Sequence, residues 1–202
     1  MKFDIQVHSR FSHCANMNVK KLLEKMDLLG FDYVFITDHN TMRFHKYNKY
    51  KQILPGIEVK TIEGEILGLY VQEKIKKGLS VEETIDKIHE QGGLAIPSHP
   101  FDKSREHFKH VNYNFDAIEI FNGRVIFQKH NLQALNNARG FVKLAGSDSH
   151  FVSEFGKCYN TSPFDDPYKS IKTGKVKWHG SFNGISGHVK TALHKKLGLS
   201  VE

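Results

Sequence analysis

Residues 141–150 read FVKLAGSDSH, an apolar run that closes on Asp148 and His150. The same construction recurs along the chain. Residues 33–39 read YVFITDH and close on Asp38 and His39; residues 3–8, FDIQVH, close on His8. PGIEV (55–59) carries Glu58, and GLAIPSHP (93–100) carries His99. Short runs rich in β-branched and aromatic residues read as strands. A functional residue at the C-terminal end of successive strands is how a parallel α/β barrel assembles its active site. An Asp buried there without a partner costs several kcal/mol. His, Asp and Glu converging from separate strand ends therefore point to one multinuclear metal centre suited to hydrolysis.

Working outward, strands are expected at residues 3–7, 33–37, 56–60, 66–71, 94–97, 117–121, 141–145 and 157–161. Helical patterns lie between them. Residues 18–29 put Val19, Leu22, Leu23, Met26 and Leu29 on one face, and Gly30 supplies a stop. Residues 80–91 open on Ser80 and Glu83, a capping box, and end at Gly92. Further helices are expected at 125–138 and 166–173, with a less regular pattern over 42–52. The βαβα alternation predicts an α/β fold with a mostly parallel sheet, closed as a small distorted barrel. One domain spanning 1–202 is expected. Its tail, residues 178–202, reads as a Gly-interrupted loop and then a basic amphipathic helix packed on the barrel.

Composition sets the class. Of 202 residues, 39% are hydrophobic and 25% charged, which suits a water-soluble globular chain. No apolar run approaches the roughly 18 residues of a membrane span. The first residues lack the apolar core of a secretory signal, and two cysteines are too few for a disulfide framework. A cytoplasmic protein is expected, with no membrane partner. The net charge of +7 favours anionic partners, phosphates or nucleic acid, although the lysines are scattered rather than blocked.

The ordered set IQVHSRFSH, FITDHNT, GIEV, EGEILGLY, IPSHP, IEIFNGR and GSDSH resembles the polymerase and histidinol phosphatase (PHP) family over about residues 3–160. The ending is similar to small stand-alone members. The resemblance implies a distorted, TIM-like (β/α)7 barrel that binds two or three divalent metal ions and hydrolyses phosphoesters. It implies that His13, His39 and His150 hold one metal, and that His8, Glu58 and Asp148 hold a second. Glu58 would bridge to a third ion completed by His99 and Glu65. Two positions depart from the family pattern: Gln6 stands where a His is expected, and Glu65 where His is frequent. Both put oxygen in place of imidazole nitrogen, which shifts the preference from zinc towards harder ions such as Mn²⁺ or Mg²⁺, with Fe also a candidate.

The expected activity is a metal-dependent phosphoesterase acting on a phosphorylated small molecule or nucleotide. Cations neutralise the phosphate and activate a bound hydroxide. Asp38 or His150 would move the proton. Arg124, in FNGR, is the expected phosphate fork, because guanidinium matches phosphate oxygens two at a time. Arg43 and Arg105 read as surface salt bridges. The alternatives are a nuclease acting on nucleic-acid ends and a non-catalytic metal- or nucleic-acid-binding PHP module.

Overall fold

The computed structural model describes residues 1–197. In chain order the elements are β1 (Lys2–Val7), α1 (Val19–Leu29), β2 (Tyr33–Ile36), β3 (Ile53–Lys60), β4 (Glu65–Leu69), α2 (Val81–His89) and β5 (Leu94–Ser98). They continue with β6 (Ala117–Asn122), α3 (Gln128–Asn137), β7 (Val142–Gly146), β8 (Cys158–Thr161), α4 (Pro167–Lys172), β9 (Lys177–Gly180) and α5 (Ser186–Leu197).

Helices form where local signals are strong. The Asn18 side chain accepts from the Lys21 N–H to start α1, and Gly30 ends it in the left-handed region at φ 67°. Ser80 and Glu83 make both capping-box bonds at the start of α2. Residues 42–52 form turns rather than a helix. Their conformation is set by long-range contacts, since the His45 ring lies 2.8 Å from the Ile36 carbonyl and 3.1 Å from that of Gly56. The short strand β9, which pairs with β8, falls partly in the segment expected to be loop.

A mixed sheet replaces the mostly parallel one expected. Seven strands run in the order β5-β4-β3-β2-β1-β8-β9, and β6 pairs with β7 apart from them. The pairs β1–β2, β2–β3 and β6–β7 are parallel; β3–β4, β4–β5, β1–β8 and β8–β9 are antiparallel. The reason is visible at β3–β4. Only residues 61–64 separate them, enough for a hairpin and far too few for a parallel crossover.

The architecture is thus a curled α/β sheet rather than the closed (β/α)7 ring expected. Side chains continue the curl where backbone ladders end. The Asn160 amide accepts from Ala145 N–H at 2.9 Å and donates to Ala145 C=O at 2.8 Å, which links β8 to β7. Ser147 N–H donates to Asp4 Oδ1 at 3.1 Å, and Ser147 Oγ donates to the Gln6 carbonyl at 3.2 Å. Inside the curl, Phe3, Ile5, Phe35, Leu67, Ile96 and Leu144 pack as one fully buried cluster. The outer layer packs α2 and α3 against the other faces of β3 to β6 through Ile57, Val59, Ile85, Ile88, Ile118 and Ala134. No helix of the described residues is long and apolar enough to cross a membrane.

Asp4 lies at the bottom of this curl, fully buried. Its Oδ1 accepts from Gln6 N and Ser147 N, while Oδ2 has no hydrogen-bond partner. Burial pushes the carboxyl from its ordinary 3.8 up to about 7, against the lowering effect of the Ser147 and Gln6 bonds. A raised native value means the stabilisation is complete below pH about 3.8 and is lost as pH rises through about 7. At about 1.4 kcal/mol per unit the loss is roughly 4 kcal/mol. Asp4→Asn removes the titration. In thermal unfolding with chelator present, the melting temperature of Asp4→Asn relative to the native sequence is expected to climb between pH 5 and pH 8; a constant offset would contradict this.

Candidate metal centre

Local backbone geometry aims the ligand-type side chains inward. His8 follows β1 directly, and its N–H donates to the Ser149 carbonyl at 2.9 Å. His39 lies three residues past β2 and forms a bridge with Glu58. Glu58 sits inside β3, and Glu65 starts β4 on the antiparallel side, so the hairpin returns Glu65 to the same end. His99 and Asp148 follow β5 and β7 with φ of 31° and 52°. Left-handed backbone at non-glycine residues costs on the order of 1 kcal/mol or more and persists only where surrounding contacts impose it. Here it turns an imidazole and a carboxylate towards one point.

Glu58 is that point. Its Oε1 accepts from Gln6 Nε2 at 2.9 Å and from Ser98 Oγ at 2.8 Å. Its Oε2 lies 2.9 Å from His39 Nδ1 and 3.3 Å from His8 Nε2. His8 Nε2 is also 3.1 Å from Asp148 Oδ1. His99 Nε2 lies 3.2 Å from Glu58 Oε1 and 3.4 Å from Glu65 Oε2. One donor atom each from His8, His39 and His150 lies within 4.8 Å of the others, and the same holds for His39, Glu58 and Glu65.

These atoms fit a divalent cation better than they fit one another. His8 Nε2, Glu58 Oε2 and Asp148 Oδ1 are buried without a properly directed hydrogen bond. Donors about 2.0–2.2 Å from a shared ion stand ~3.0–3.4 Å apart, the separations seen here. Histidine orientation agrees. His150 Nδ1 is 2.8 Å from the Asp148 carbonyl, which leaves Nε2 for the cluster.

The electrostatics carry the same message. Burial would raise the Glu58 carboxyl, yet His39 holds it well below the usual range. Burial works likewise on Asp148, and Arg105 and His8 keep it well below as well. His39 is depressed by burial but raised well above its ordinary value by Glu58. Burial, aided by Arg124, drives His150 well below. A protonated His39 thus offsets the Glu58 charge, a task a bound cation would take over.

Other expected site residues stand outside the close donor groups. His13 is exposed at the rim, with its ring 6.3 Å from that of His39 and outside both close donor groups. Both Asp38 oxygens are engaged: Oδ1 accepts from Ser9 N and Ser12 Oγ, and Oδ2 from Ser9 Oγ at 2.5 Å. Arg124 is buried, donates to Thr191 Oγ1 at 3.0 Å and stands 3.6 Å from Glu154 Oε2. The Arg in the centre is Arg105, expected at the surface. Its Nη1 lies 3.1 Å from His99 Nε2 and 3.2 Å from Asp148 Oδ2, and Nε is held by Asp102 Oδ2 at 3.2 Å. Neither Ser98 nor Glu119 was singled out from sequence. Glu119 Oε2 accepts from His99 N–H at 2.6 Å. Burial pushes that carboxyl up to about 8.

A PHP domain family model matches residues 4–198. The chain belongs to the PHP domain family. Two Methanocaldococcus jannaschii proteins are each 36% identical to it. MJ0417 matches over 79% of this chain and 69% of its own length, and MJ1587 over 60% and 82%. Among solved structures, PsfC from Pseudomonas syringae superposes with a TM-score of 0.70 at 12% identity, covering 98% of both chains. A two-domain Bacteroides vulgatus protein containing a predicted PHP-like metal-dependent phosphoesterase gives 0.66 at 13% identity. The match covers 89% of this chain but only 64% of that one. The lesion-specific endonuclease EndoQ from Pyrococcus furiosus gives 0.60 at 16%, covering 88% and 57%. At these identities the structural likenesses establish the fold.

Gln6 presents a donor, not a lone pair, to Glu58: its Oε1 is turned to Asn122 Nδ2 at 3.0 Å, and its NH₂ also reaches Ser98 Oγ at 2.9 Å. Gln6→His removes that amide and adds an imidazole beside Glu58. Metal content by mass spectrometry is expected to rise by up to one ion per chain. Unchanged content would mean the amide does not limit loading.

Proposed function

We propose that this PHP domain hydrolyses phosphate esters with divalent metals, acting on a phosphorylated small molecule or a nucleotide. The carrying observation is the set of three buried, misdirected donors, His8 Nε2, Glu58 Oε2 and Asp148 Oδ1, flanked by His39, His150, Glu65 and His99. Bound there, two or three divalent ions supply charge neutralisation of the phosphate and activation of water. His8, Glu58 and Asp148 would hold one ion, and His39, Glu65 and His99 would complete the rest.

The chain's own groups do the positioning. Asp38 anchors the loop after His8 through Ser9 and Ser12, and Ser12 Oγ in turn accepts from His39 N–H at 3.1 Å. With both oxygens engaged, Asp38 orients ligands rather than carrying a proton. Of the two expected proton carriers, only His150 keeps a ring nitrogen turned to the cluster: Nδ1 is fixed on a carbonyl, and Nε2 would hold either an ion or the proton, not both. Arg105, on the irregular segment between β5 and β6, has a partly exposed side chain whose carboxylate neighbours keep it firmly protonated. A phosphate entering beside Asp148 meets this fork, and Arg105 takes the role that FNGR suggested for Arg124.

Purified protein is expected to hold at least two metal ions per chain and to turn over phosphate esters with one or more of Mn²⁺, Zn²⁺, Fe²⁺ and Mg²⁺. Asp148→Ala and His39→Ala are expected to abolish turnover. Arg105→Ala is expected to lower kcat by ~10²-fold, the usual effect of losing one preorganised donor, while two ions remain bound. The absence of turnover on monoesters, diesters and oligonucleotides with every metal would leave the non-catalytic reading.

A further inference from the structure

The loops that leave His8 and His39 run side by side and enclose a cleft of about 550 Å³. Ser9, Arg10 and Phe11 line it from the first loop, and Phe44, Tyr47 and Tyr50 from the second. It opens beside the metal centre, because Ser9 adjoins His8 and bonds Asp38, and Asn16 N–H donates to the His150 carbonyl at 3.0 Å.

Two features of this cleft bear on what could occupy it. First, Phe11 and Tyr47 present near-parallel rings, 18° apart in plane with centroids 6.5 Å apart. Tyr47 is 77% exposed, an aromatic face with little packing to justify it. The Arg10 and Arg43 guanidinium groups lie 5.8 and 5.2 Å from the Phe11 ring centre. Second, charge is wholly one-sided. Residues 9–21 and 39–57 contain no Asp or Glu, yet carry Arg10, Lys20, Lys21, Arg43, Lys46, Lys49 and Lys51, all exposed.

We propose that this cleft binds a single-stranded nucleic acid, its unpaired bases stacking along Tyr47 and Phe11 and its phosphates held by the surrounding cations, so that the strand runs towards the metal centre. Stacking platforms combined with a cationic groove are the shared chemistry of sequence-tolerant single-strand binding. A duplex keeps its bases stacked on one another and cannot offer them to an exposed ring. A small phosphorylated metabolite without an aromatic ring would use neither Tyr47 nor the long cationic flanks. The orientation of the strand rests on the phosphoesterase reading; the binding does not.

The test is fluorescence anisotropy with a labelled single strand of ~10 nucleotides, within the usual site size, in chelator so that nothing turns over. Competitors are the duplex of the same sequence, an abasic strand of equal length and a mononucleotide. The single strand is expected to bind more tightly than all three, with affinity falling steeply with salt. Tyr47→Ala is expected to weaken it ~5- to 100-fold, Tyr47→Trp to retain it, and Arg43→Gln to reduce the salt slope by about 1. Equal binding of the abasic strand, or an unchanged affinity in Tyr47→Ala, would overturn base stacking. Competition by the mononucleotide as strong as by the strand would overturn the strand as occupant. Metal content and ester turnover, measured separately, tell a failure of the hydrolase reading from a failure of this one.

Discussion

Everything at the C-terminal end of the curled sheet is arranged around a carboxylate that water cannot reach. Glu58 is fully buried in β3, and an isolated ionised carboxylate in such a place would be neutralised or expelled. It stays ionised because two different sets of partners divide its oxygens. Gln6 and Ser98 donate to Oε1, while His39 and His8 approach Oε2. Those four partners come from β1, β5 and the loops after β1 and β2. Satisfying one charge therefore fixes how four parts of the chain meet.

That constraint explains several oddities together. The left-handed backbone at His99 and Asp148 and the buried acid Glu119, which accepts from His99 N–H, lie around the same centre. Each is costly alone. They coexist because the sheet curls tightly enough for β1, β3, β5, β6 and β7 to point their ends at one volume. Arg105 completes the balance from a segment without regular structure. Its guanidinium lies between His99 and Asp148, a fixed positive charge within a cluster otherwise rich in carboxylates.

Strand and helix positions were largely legible, because they depend on neighbours a few residues away. Asn18, Gly30, Ser80 and Glu83 act within their own turns, and the apolar runs before His8, Asp38, His99 and Asp148 became strands. The sheet's direction differs from expectation at β3–β4, where the short link between two strands favours a hairpin against the αβ rhythm of the rest of the chain. Residues 42–52 misled for another reason: their conformation answers to the strands that His45 touches, not to their own pattern. Among candidate site residues, those carried on strand ends stood out in the sequence. Those arriving from loops, Arg105 above all, had no periodic signal to mark them.

The amino-acid sequence by itself determined which residue types would stand at the strand ends, and so the kind of chemistry available, since those positions follow from local apolar runs. The PHP resemblance also marked Gln6 as the odd member of its motif. Only the tertiary structure decided what Gln6 does, namely turn an amide donor to Glu58 while Asn122 holds its oxygen. It likewise set Arg105 between His99 and Asp148 and buried Arg124 against Thr191 and Glu154. The physical reason is common to both. The direction of an amide or a guanidinium is settled by which buried polar and charged groups lie within about 3 Å, and residues separated by up to 116 positions supply those groups here.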